Sequence, residues 1–329
     1  MSESSRRAFV FGGGGVLGFA WTIGALTALA HEREITPSAH DLLIGTSAGA
    51  VIAGLLASGV DIDSIRRHQL GMPLPEDPMI TWNYDRDSGG SMPPRPGLRP
   101  GSPRLLWNSL RHRAEVSPVV ALSGLLPAGR GTLEPIGEML RAVATQARPD
   151  GSWPGSRTWI VATDYVTGRR TVFGQPGQPS CELAAAICAS CAIPAWYAPV
   201  RIDGREYIDG GTTSNASVDL VSPTEYEEVF VLAPMAALSP DSPRSPVALI
   251  ERRIRRSITR GVMRDVNRLR AAGAEVTVLT PGADDLAAMG ANLMNVRRRL
   301  AVLQTAMQTC ALELRLQERG LDPQRETGS

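Results

Sequence analysis

A serine framed by glycines is the first feature of the sequence that could do chemistry. The pentapeptide GTSAG at 45–49 follows an apolar run at 41–44 and precedes a stretch at 48–58 that is typical of a buried helix. A sharp strand-to-helix turn of this kind exposes the serine hydroxyl, and small neighbours let the turn tighten. The N-terminus of the following helix favours negative charge that develops during attack. The pattern predicts that Ser47 is a nucleophile, with Gly45 and Gly49 supporting the turn.

A second glycine-rich turn follows the apolar run at 8–11, where Gly13, Gly14, Gly15 and Gly18 form a GxGxxG pattern. A dinucleotide site would need an acidic residue at the end of the second strand. That strand ends in Gly-Thr-Ser instead, so we expect no bound cofactor. The alternative is an oxyanion hole of backbone amides, in which glycine lets a substrate carbonyl approach the main chain. A tight turn without a catalytic role remains the other interpretation.

The histidines do not support a conventional catalytic triad. A triad of the α/β-hydrolase type runs in the order serine, acid, histidine along the chain. Only His68 and His112 follow Ser47, and both lie before or inside an irregular proline-rich segment. We therefore expect no Ser–His–Asp triad, although an esterase that recruits His112 remains an alternative.

Asp209 is the candidate acid, in the sequence YIDGG at 207–211. An apolar approach followed by Gly210 and Gly211 places a short acidic side chain at a tight turn. Because Asp-Gly is a common turn pair, an ordinary hairpin turn explains the local sequence better than a catalytic role does.

Three motifs in this order resemble the patatin-like phospholipase family: GGGGVLG at 12–18, GTSAG at 45–49 and DGG at 209–211. The stretch at 184–211 is also similar to the approach to the family's aspartate, and the resemblance covers about residues 8–215. It implies a Ser47–Asp209 dyad, and an oxyanion loop that contains the four glycines named above. It also implies a three-layer α/β/α sandwich with a mainly parallel central sheet, and hydrolysis of acyl esters of the phospholipase A, lysophospholipase or esterase type.

One position departs from that family. Many members have a basic residue where Leu17 stands, and a basic side chain could add positive potential to the oxyanion loop. The departure implies lower activity or a different acyl preference, and a non-catalytic lipid-binding protein is the alternative.

The elements that must position these residues begin with two strand–helix units, which predict a parallel sheet with right-handed crossovers. The pattern is lost at about 71–131, a segment rich in Pro, Gly and Met that we interpret as an excursion over the active-site edge. Inside it we predict short helices near 105–110 and 118–125. Beyond it the sequence predicts strands at 159–163, 170–173, 229–232 and 276–279 and a helix at 182–190.

The last third of the chain carries two helical patterns. We predict a catalytic domain over 1–235, including the excursion, and C-terminal helices over 236–329 packed on the same domain. In the first helix, apolar residues recur every fourth position from Ile250 to Val266. The arginines beside this stripe could contact an anionic membrane, or could simply be solvated; they are Arg252, Arg253, Arg255, Arg256 and Arg260. The second pattern is a heptad repeat from Leu286 to Leu314, which predicts packing on its own domain or a homodimer seam.

Composition limits the remaining classes. The 329-residue chain is 43% hydrophobic and 20% charged with a net charge of +1, as in soluble globular proteins, and we expect no nucleic-acid partner. It contains no lysine, which excludes Walker-type phosphate sites, Schiff-base lysines and Ser–Lys dyads. Cys188 and Cys191 lie in an alanine-rich helical run without a second ligand pair, so we expect core thiols and no metal site. The N-terminus does not resemble a secretory signal, and we expect a cytoplasmic protein, peripheral to the membrane if the arginines contact it.

Overall fold

The computed structural model describes residues 6–38, 40–78, 80–87, 90, 92–95, 101–111, 118–238 and 246–320. In this part of the chain, eight strands form one mixed sheet with the hydrogen-bonded order β5-β6-β3-β2-β1-β7-β8, and β4 pairs with β3. The strands are β1 (Arg7–Phe11), β2 (Leu42–Thr46), β3 (Thr158–Asp164), β4 (Arg170–Phe173), β5 (Val200–Ile202), β6 (Arg205–Asp209), β7 (Glu228–Leu232) and β8 (Glu275–Leu279).

The α-helices of the described residues flank this sheet or connect its strands. They are α1 (Gly15–Arg33), α2 (Ala48–Ala57), α3 (Ile62–Leu70), α4 (Tyr84–Asp87), α5 (Pro103–Arg111), α6 (Pro118–Leu125), α7 (Glu134–Ala147), α8 (Leu183–Cys191), α9 (Pro246–Ala271), α10 (Ala283–Met289) and α11 (Arg299–Glu318). Short 3-10 helices lie at Gly210–Thr212, Val218–Leu220 and Val296–Arg298.

Both faces of the sheet are buried. Phe9 and Phe11 of β1 belong to a core that includes α1, α2 and α8, whereas Ala8 and Val10 belong to a second core that includes α9. Alternate side chains of a strand point to opposite faces, so the two cores lie on opposite sides of the sheet. The predicted three-layer α/β/α sandwich is confirmed, and the sheet is mainly parallel: β3–β2–β1–β7–β8 pair in parallel.

The antiparallel part of the sheet comes from β4, β5 and β6, which pair antiparallel with β3 or with each other. The hairpin turn between β5 and β6 is Asp203–Gly204, and both residues have a positive φ. The hairpin-turn interpretation of Asp209–Gly210 is therefore wrong: Asp209 ends β6, and the chain continues into a 3-10 helix.

The predicted excursion contains the two expected short helices, α5 and α6. Just outside its bounds lie α3 and α7, which we did not predict. The start of α3 carries a local signal, because the Asp61 carboxylate accepts the Ser64 N–H at 2.7 Å as an N-cap.

The predicted heptad helix is not continuous. It is divided into α10 and α11 at Gly290, which has a φ of +65°. Buried residues of α11 pack on α1, where Gly24 allows close contact: an added Cβ would lie 2.7 Å from the Ala306 Cβ. The homodimer stays a prediction. The segment after residue 235 also supplies β8, an edge strand of the same sheet as β1 and β2.

Two of the arginines predicted to flank α9 as solvent-facing charges are buried. Arg255 is 1% exposed, pairs with Glu251 and donates to the Pro234 carbonyl oxygen at 2.6 Å. Arg252 is buried as well and also pairs with Glu251. A strict four-residue spacing drifts around a helix of 3.6 residues per turn, so the buried face passes from Val262 to these arginines and leaves Ile254 exposed.

Candidate active site

Ser47 lies at a strained turn between β2 and α2, with φ +54° and ψ −121°. A non-glycine residue at positive φ costs on the order of 1–3 kcal/mol and persists where its surroundings enforce it. The glycines on either side allow the turn to close. An added Cβ would lie 2.2 Å from the Phe11 carbonyl oxygen at Gly49, and 2.6 Å from the Ala50 Cα at Gly45. The predicted strand–turn–helix setting of Ser47 is present in the structure.

Ser190 fixes the backbone of this turn, a role that no sequence motif indicates. The Ser47 N–H donates to the Ser190 Oγ at 2.8 Å, and the Ser190 hydroxyl donates to the Val161 carbonyl oxygen at 2.5 Å. Ser190 lies fully buried in the alanine-rich α8, where no motif distinguishes it from a small core residue. It connects the candidate nucleophile to β3.

The two strands that carry Ser47 and Asp209 meet end to end along one edge of β3. Val161 pairs with Thr46 of β2 and with β4, while Ala162 pairs with β4 and with Asp209 of β6. Since β4 occupies one edge of β3 at both positions, β2 and β6 share the other edge. They run in opposite directions, and their C-terminal ends therefore face each other. Ser47 and Asp209 are brought together across adjacent residues of β3.

Glycine makes this meeting of strand ends possible. An added Cβ at Gly210 would lie 2.2 Å from the Val161 carbonyl oxygen and 3.2 Å from the Thr46 Cγ2. At Gly211 it would lie 2.9 Å from the Asp209 Oδ1. A side chain at Gly210 would thus disturb the meeting of the strand ends, and one at Gly211 would displace the Asp209 carboxylate.

The Asp209 carboxyl group is buried in an environment that favours its neutral form. It is 7% exposed, and burial raises its pKa to about 6. A hydrogen-bonding interaction with the Ser47 side chain acts in the opposite direction, as does the Gly211 N–H, which donates to Oδ1 at 2.7 Å. A carboxylate held this way is a stronger base than an exposed aspartate, and it still ionises near neutral pH.

His68, the described histidine that follows Ser47 in the chain, has a hydrogen-bond partner other than the serine. His68 lines the same pocket as Ser47, but its Nδ1 lies 3.2 Å from the Tyr84 hydroxyl. Burial is the main reason that its pKa is lowered. His112, the candidate of the alternative triad, lies outside the described residues.

The four predicted glycines of the turn differ in whether a backbone acceptor occupies their N–H group. The Gly13 N–H donates to the Asn215 carbonyl oxygen at 3.0 Å, and the Gly18 N–H donates to the Gly14 carbonyl oxygen at 2.8 Å. Both amides are therefore occupied and cannot serve as oxyanion donors. The N–H groups of Gly14 and Gly15 have no backbone acceptor among the described residues, and Gly15 lines the pocket beside Ser47.

Leu17 does not face this site. Its side chain is fully buried in the core formed with α1, and its N–H donates to the Leu293 carbonyl oxygen at 2.9 Å. The departure from the family pattern at this position therefore affects how the turn packs against the core. It does not alter the N–H groups of Gly14 and Gly15.

A predominantly apolar pocket opens at Ser47. It is bounded by α1, α2, α3, α7, the residues after α8 and the segment at 80–84. Its apolar lining residues are Val16, Phe19, Val51, Leu55, Ile65, Ile80, Trp82, Leu133, Ile136, Met139, Ile193 and Met294. A wall of this chemistry suits a hydrocarbon chain.

One wall of the pocket is fastened by a polar cluster. Tyr84 stacks under the Arg299 guanidinium, whose Cζ lies 3.8 Å from the ring centroid, and its hydroxyl accepts from the buried Gln69 amide. Arg299 donates in turn to the Gln69 carbonyl oxygen. These contacts hold the segment at 80–84, part of the predicted excursion, against α3 and α11.

Over the ranges described above, His, Cys, Asp and Glu side chains nowhere gather in a group of three that could hold a metal ion. Cys188 and Cys191 are buried free thiols, and burial raises the pKa of Cys188 to about 12. None of the helices in these residues combines the length and the hydropathy needed to span a membrane.

The fold and the site define an α/β/α protein with a serine at a strand-to-helix turn beside a buried carboxyl group. The model of the patatin-like phospholipase family matches residues 9–222, so the chain belongs to that family. The uncharacterized protein R571 of Acanthamoeba polyphaga mimivirus is 26% identical over 220 residues, which are 67% of this chain and 63% of R571. This chain thus spans less than two thirds of that relative. The crystal structure of VipD from Legionella pneumophila aligns with 92% of this chain and 67% of VipD, at 15% identity and a TM-score of 0.40.

Proposed function

We propose that this protein is a serine acyl hydrolase that cleaves lipid acyl esters through a Ser47–Asp209 dyad and an acyl-enzyme. The observation that carries the proposal is the meeting of β2 and β6 on one edge of β3, which places the strained serine beside the buried carboxyl. The apolar pocket at Ser47 supports a substrate with a fatty acyl chain.

In the first step, ionised Asp209 accepts the hydroxyl proton of Ser47 as its oxygen attacks the ester carbonyl carbon. The carbonyl oxygen becomes an oxyanion, and the free N–H groups of Gly14 and Gly15 are the proposed donors to it. The N-terminus of α2 adds favourable potential at the same place. As the tetrahedral intermediate collapses, the C–O bond to the alcohol breaks, and the alcohol leaves with the proton from Asp209.

In the second step, water attacks the acyl-enzyme while Asp209 accepts one of its protons. The ester bond to Ser47 breaks, the fatty acid is released, and the proton returns to the serine oxygen. Ser190 takes no part in these transfers. It holds the Ser47 backbone through the bond to its N–H, so the hydroxyl keeps its place relative to Asp209.

Labelling and turnover together test the dyad. The wild-type protein should react with a fluorophosphonate at Ser47 and release nitrophenol from a soluble nitrophenyl ester. Ser47→Ala should lose both properties, and Asp209→Asn should lose turnover by at least about a thousandfold, as when a catalytic base is removed. Ser109→Ala, which changes a serine on α5 whose hydroxyl donates to the Leu105 carbonyl oxygen, is the matched control. Nitrophenol release by Ser47→Ala at the wild-type rate would refute the mechanism.

A further inference from the structure

Helices α5 and α6 expose a set of large apolar side chains. Trp107 and Leu110 on α5 and Val119, Leu122 and Leu125 on α6 are each more than half exposed. On both helices these residues are three positions apart, so each helix presents one apolar face to solvent. Contiguous apolar patches of this kind mark interaction sites more often than single exposed residues do.

The opposite faces of the same helices are packed and hydrogen-bonded, so the exposed faces have a fixed orientation. Leu105 and Val120 form a small core with Tyr165 and Ile208. The Asn108 Nδ2 donates to the Val166 carbonyl oxygen at 2.9 Å. The inner faces thus hold the two helices on the domain, while their outer faces remain exposed.

The charge of this region is one-sided. Residues 101–133 contain four arginines against one glutamate. Arg104 and Arg111 lie exposed on α5, and the Arg111 guanidinium lies over the Trp107 ring, with Cζ 4.8 Å from the centroid. Arginine and tryptophan beside leucine are the side chains with which interfacial helices bind anionic bilayers.

The helix pair lies next to the candidate active site. Ile208, on which the pair packs, directly precedes Asp209 on β6, and its side chain lies on the opposite face of the sheet from the Asp209 carboxyl. The chain leaving α6 pairs through Gly131 with Tyr197 and reaches Leu133, and both Tyr197 and Leu133 line the acyl pocket. A lipid surface that contacts α5 and α6 would therefore lie close to the pocket.

Helix α9, whose arginines were the predicted membrane contact, offers less to a lipid surface than the sequence pattern indicates. Two of its five predicted arginines, Arg252 and Arg255, are buried, and both pair with Glu251. Helix α9 therefore exposes fewer arginines than the five that the pattern predicts.

We propose that α5 and α6 form a docking surface for an anionic lipid bilayer, which brings the pocket to its substrate. The proposal rests on the function proposed above, since it names the physical form in which the ester is met. In this arrangement Trp107, Leu122 and Leu125 insert into the interface, while Arg104 and Arg111 pair with lipid phosphates.

Vesicle cosedimentation of the full chain tests this surface, with phosphatidylcholine vesicles compared with vesicles that also contain phosphatidylglycerol. Leu122→Ser/Leu125→Ser should bind anionic vesicles at least about tenfold more weakly than the wild type. Arg104→Gln/Arg111→Gln should lose the preference for anionic vesicles. The matched control is Leu312→Ser, which changes a similarly exposed leucine on α11. Hydrolysis of a soluble nitrophenyl ester should be unchanged in all of these variants, and Trp107→Gln provides a second test should the double serine variant not fold.

The results distinguish the proposed dyad from the proposed docking surface, and the α5/α6 surface from α9. Ester turnover without vesicle binding by the wild type overturns the docking surface alone, whereas vesicle binding without turnover overturns the dyad alone. Equal binding by Leu122→Ser/Leu125→Ser and the wild type overturns the docking surface, as does loss of binding in Arg253→Gln/Arg256→Gln on α9. A wild-type dimer in sedimentation velocity that becomes a monomer in the double serine variant would instead identify a subunit interface and overturn the lipid proposal.

Discussion

At the scale of single residues, Asp209 combines a chemical role with a cost in stability. Its carboxyl group is buried beside Ser47, and desolvation raises its pKa to about 6. The ionised form is the proposed base, yet it is the form that burial disfavours. The same burial therefore affects both the pH dependence of the reaction and the pH dependence of folding.

The pH dependence of turnover is the first prediction. Because the base must be ionised, kcat/KM for a soluble ester should rise with pH to a plateau, with half of the plateau value reached near pH 6. Stopped assays over the acid and neutral range measure this profile. A profile that is flat down to the ordinary aspartate range would contradict the assignment of Asp209 as the base.

The stability of Asp209→Asn is the second prediction. The folded state holds the Asp209 proton more tightly than the unfolded state does. The contribution of Asp209 to the free energy of unfolding is therefore lost as pH rises from about 4 to about 6. A pKa raised from 3.8 to about 6 corresponds to about 3 kcal/mol. At pH 8 the asparagine variant should therefore have a larger free energy of unfolding than the wild type, by up to about 3 kcal/mol. It should accordingly unfold at a higher temperature.

At about pH 4 both side chains are largely neutral, and the difference should nearly vanish. The amide oxygen of asparagine can still accept the Gly211 N–H, so the variant keeps that contact. Thermal melts at both pH values provide the measurement. An inactive variant that is less stable than the wild type at pH 8 would indicate that the carboxylate has a structural role.

At the scale of elements, the crossing of α2 over β1 depends on the absence of a side chain at Gly49. An added Cβ would lie 2.2 Å from the Phe11 carbonyl oxygen, a distance that neither backbone can relieve locally. Gly49→Ala should lose at least about 3 kcal/mol of unfolding free energy or fail to fold. The matched control is Gly261→Ala on α9, where an added Cβ meets nothing within 4 Å and should stabilise the helix by about 0.5–1 kcal/mol. Urea unfolding of both variants tests the pair, and equal stabilities would contradict the close crossing.

The elements show what the sequence could and could not predict. The strand–turn–helix units around Gly13 and Ser47 follow from local patterns, because an apolar run, small turn residues and a buried helix are adjacent in the chain. Asp209 could not be placed in that way. Its position depends on β6 pairing with β3, a contact between residues about 46 positions apart in sequence. Only the family resemblance identified it, and nothing identified Ser190.

The heptad pattern predicted one continuous helix, and the structure divides it into α10 and α11. Spacings of three and four continue in sequence from Leu286 to Leu314, but Gly290 ends α10 with a positive φ and the chain turns before α11 begins. The regular isoleucine spacing of α9 predicted one apolar face with the arginines beside it in solvent, and this was wrong for Arg252 and Arg255. Burial of a charged group depends on partners elsewhere in the chain, here the Pro234 and Ala236 carbonyl oxygens.

At the scale of the whole molecule, Arg255 links helix α9 to the glycine-rich turn. Its guanidinium donates to the Pro234 carbonyl oxygen, and Pro234 packs against the turn: a Cβ added at Gly14 would lie 3.1 Å from the Pro234 Cγ. The segment beyond residue 235 therefore supports the proposed oxyanion donors from the opposite face of the sheet.

Replacement of Arg255 tests this link. Arg255→Met should cost about 1–3 kcal/mol, because it leaves the buried Pro234 carbonyl oxygen without this donor and removes one of the two arginine partners of Glu251. Arg256→Gln, on the exposed side of α9, should change stability by less than about 0.5 kcal/mol. Thermal melts measure both variants. An Arg255→Met protein as stable as the wild type would show that the fold does not depend on the link between α9 and the glycine-rich turn.

The end-to-end arrangement of β2 and β6 has a consequence for how such a molecule can diverge. The spacing of the reactive pair is set by two consecutive residues of β3, Val161 and Ala162. Part of the pocket wall comes instead from the segment at 80–84 and from residues in and just before α7, which are Leu133, Ile136 and Met139. These residues carry none of the reactive groups. Natural variation or engineering could change them and alter which acyl chain is accepted, while the register of three strands keeps the reactive pair unchanged.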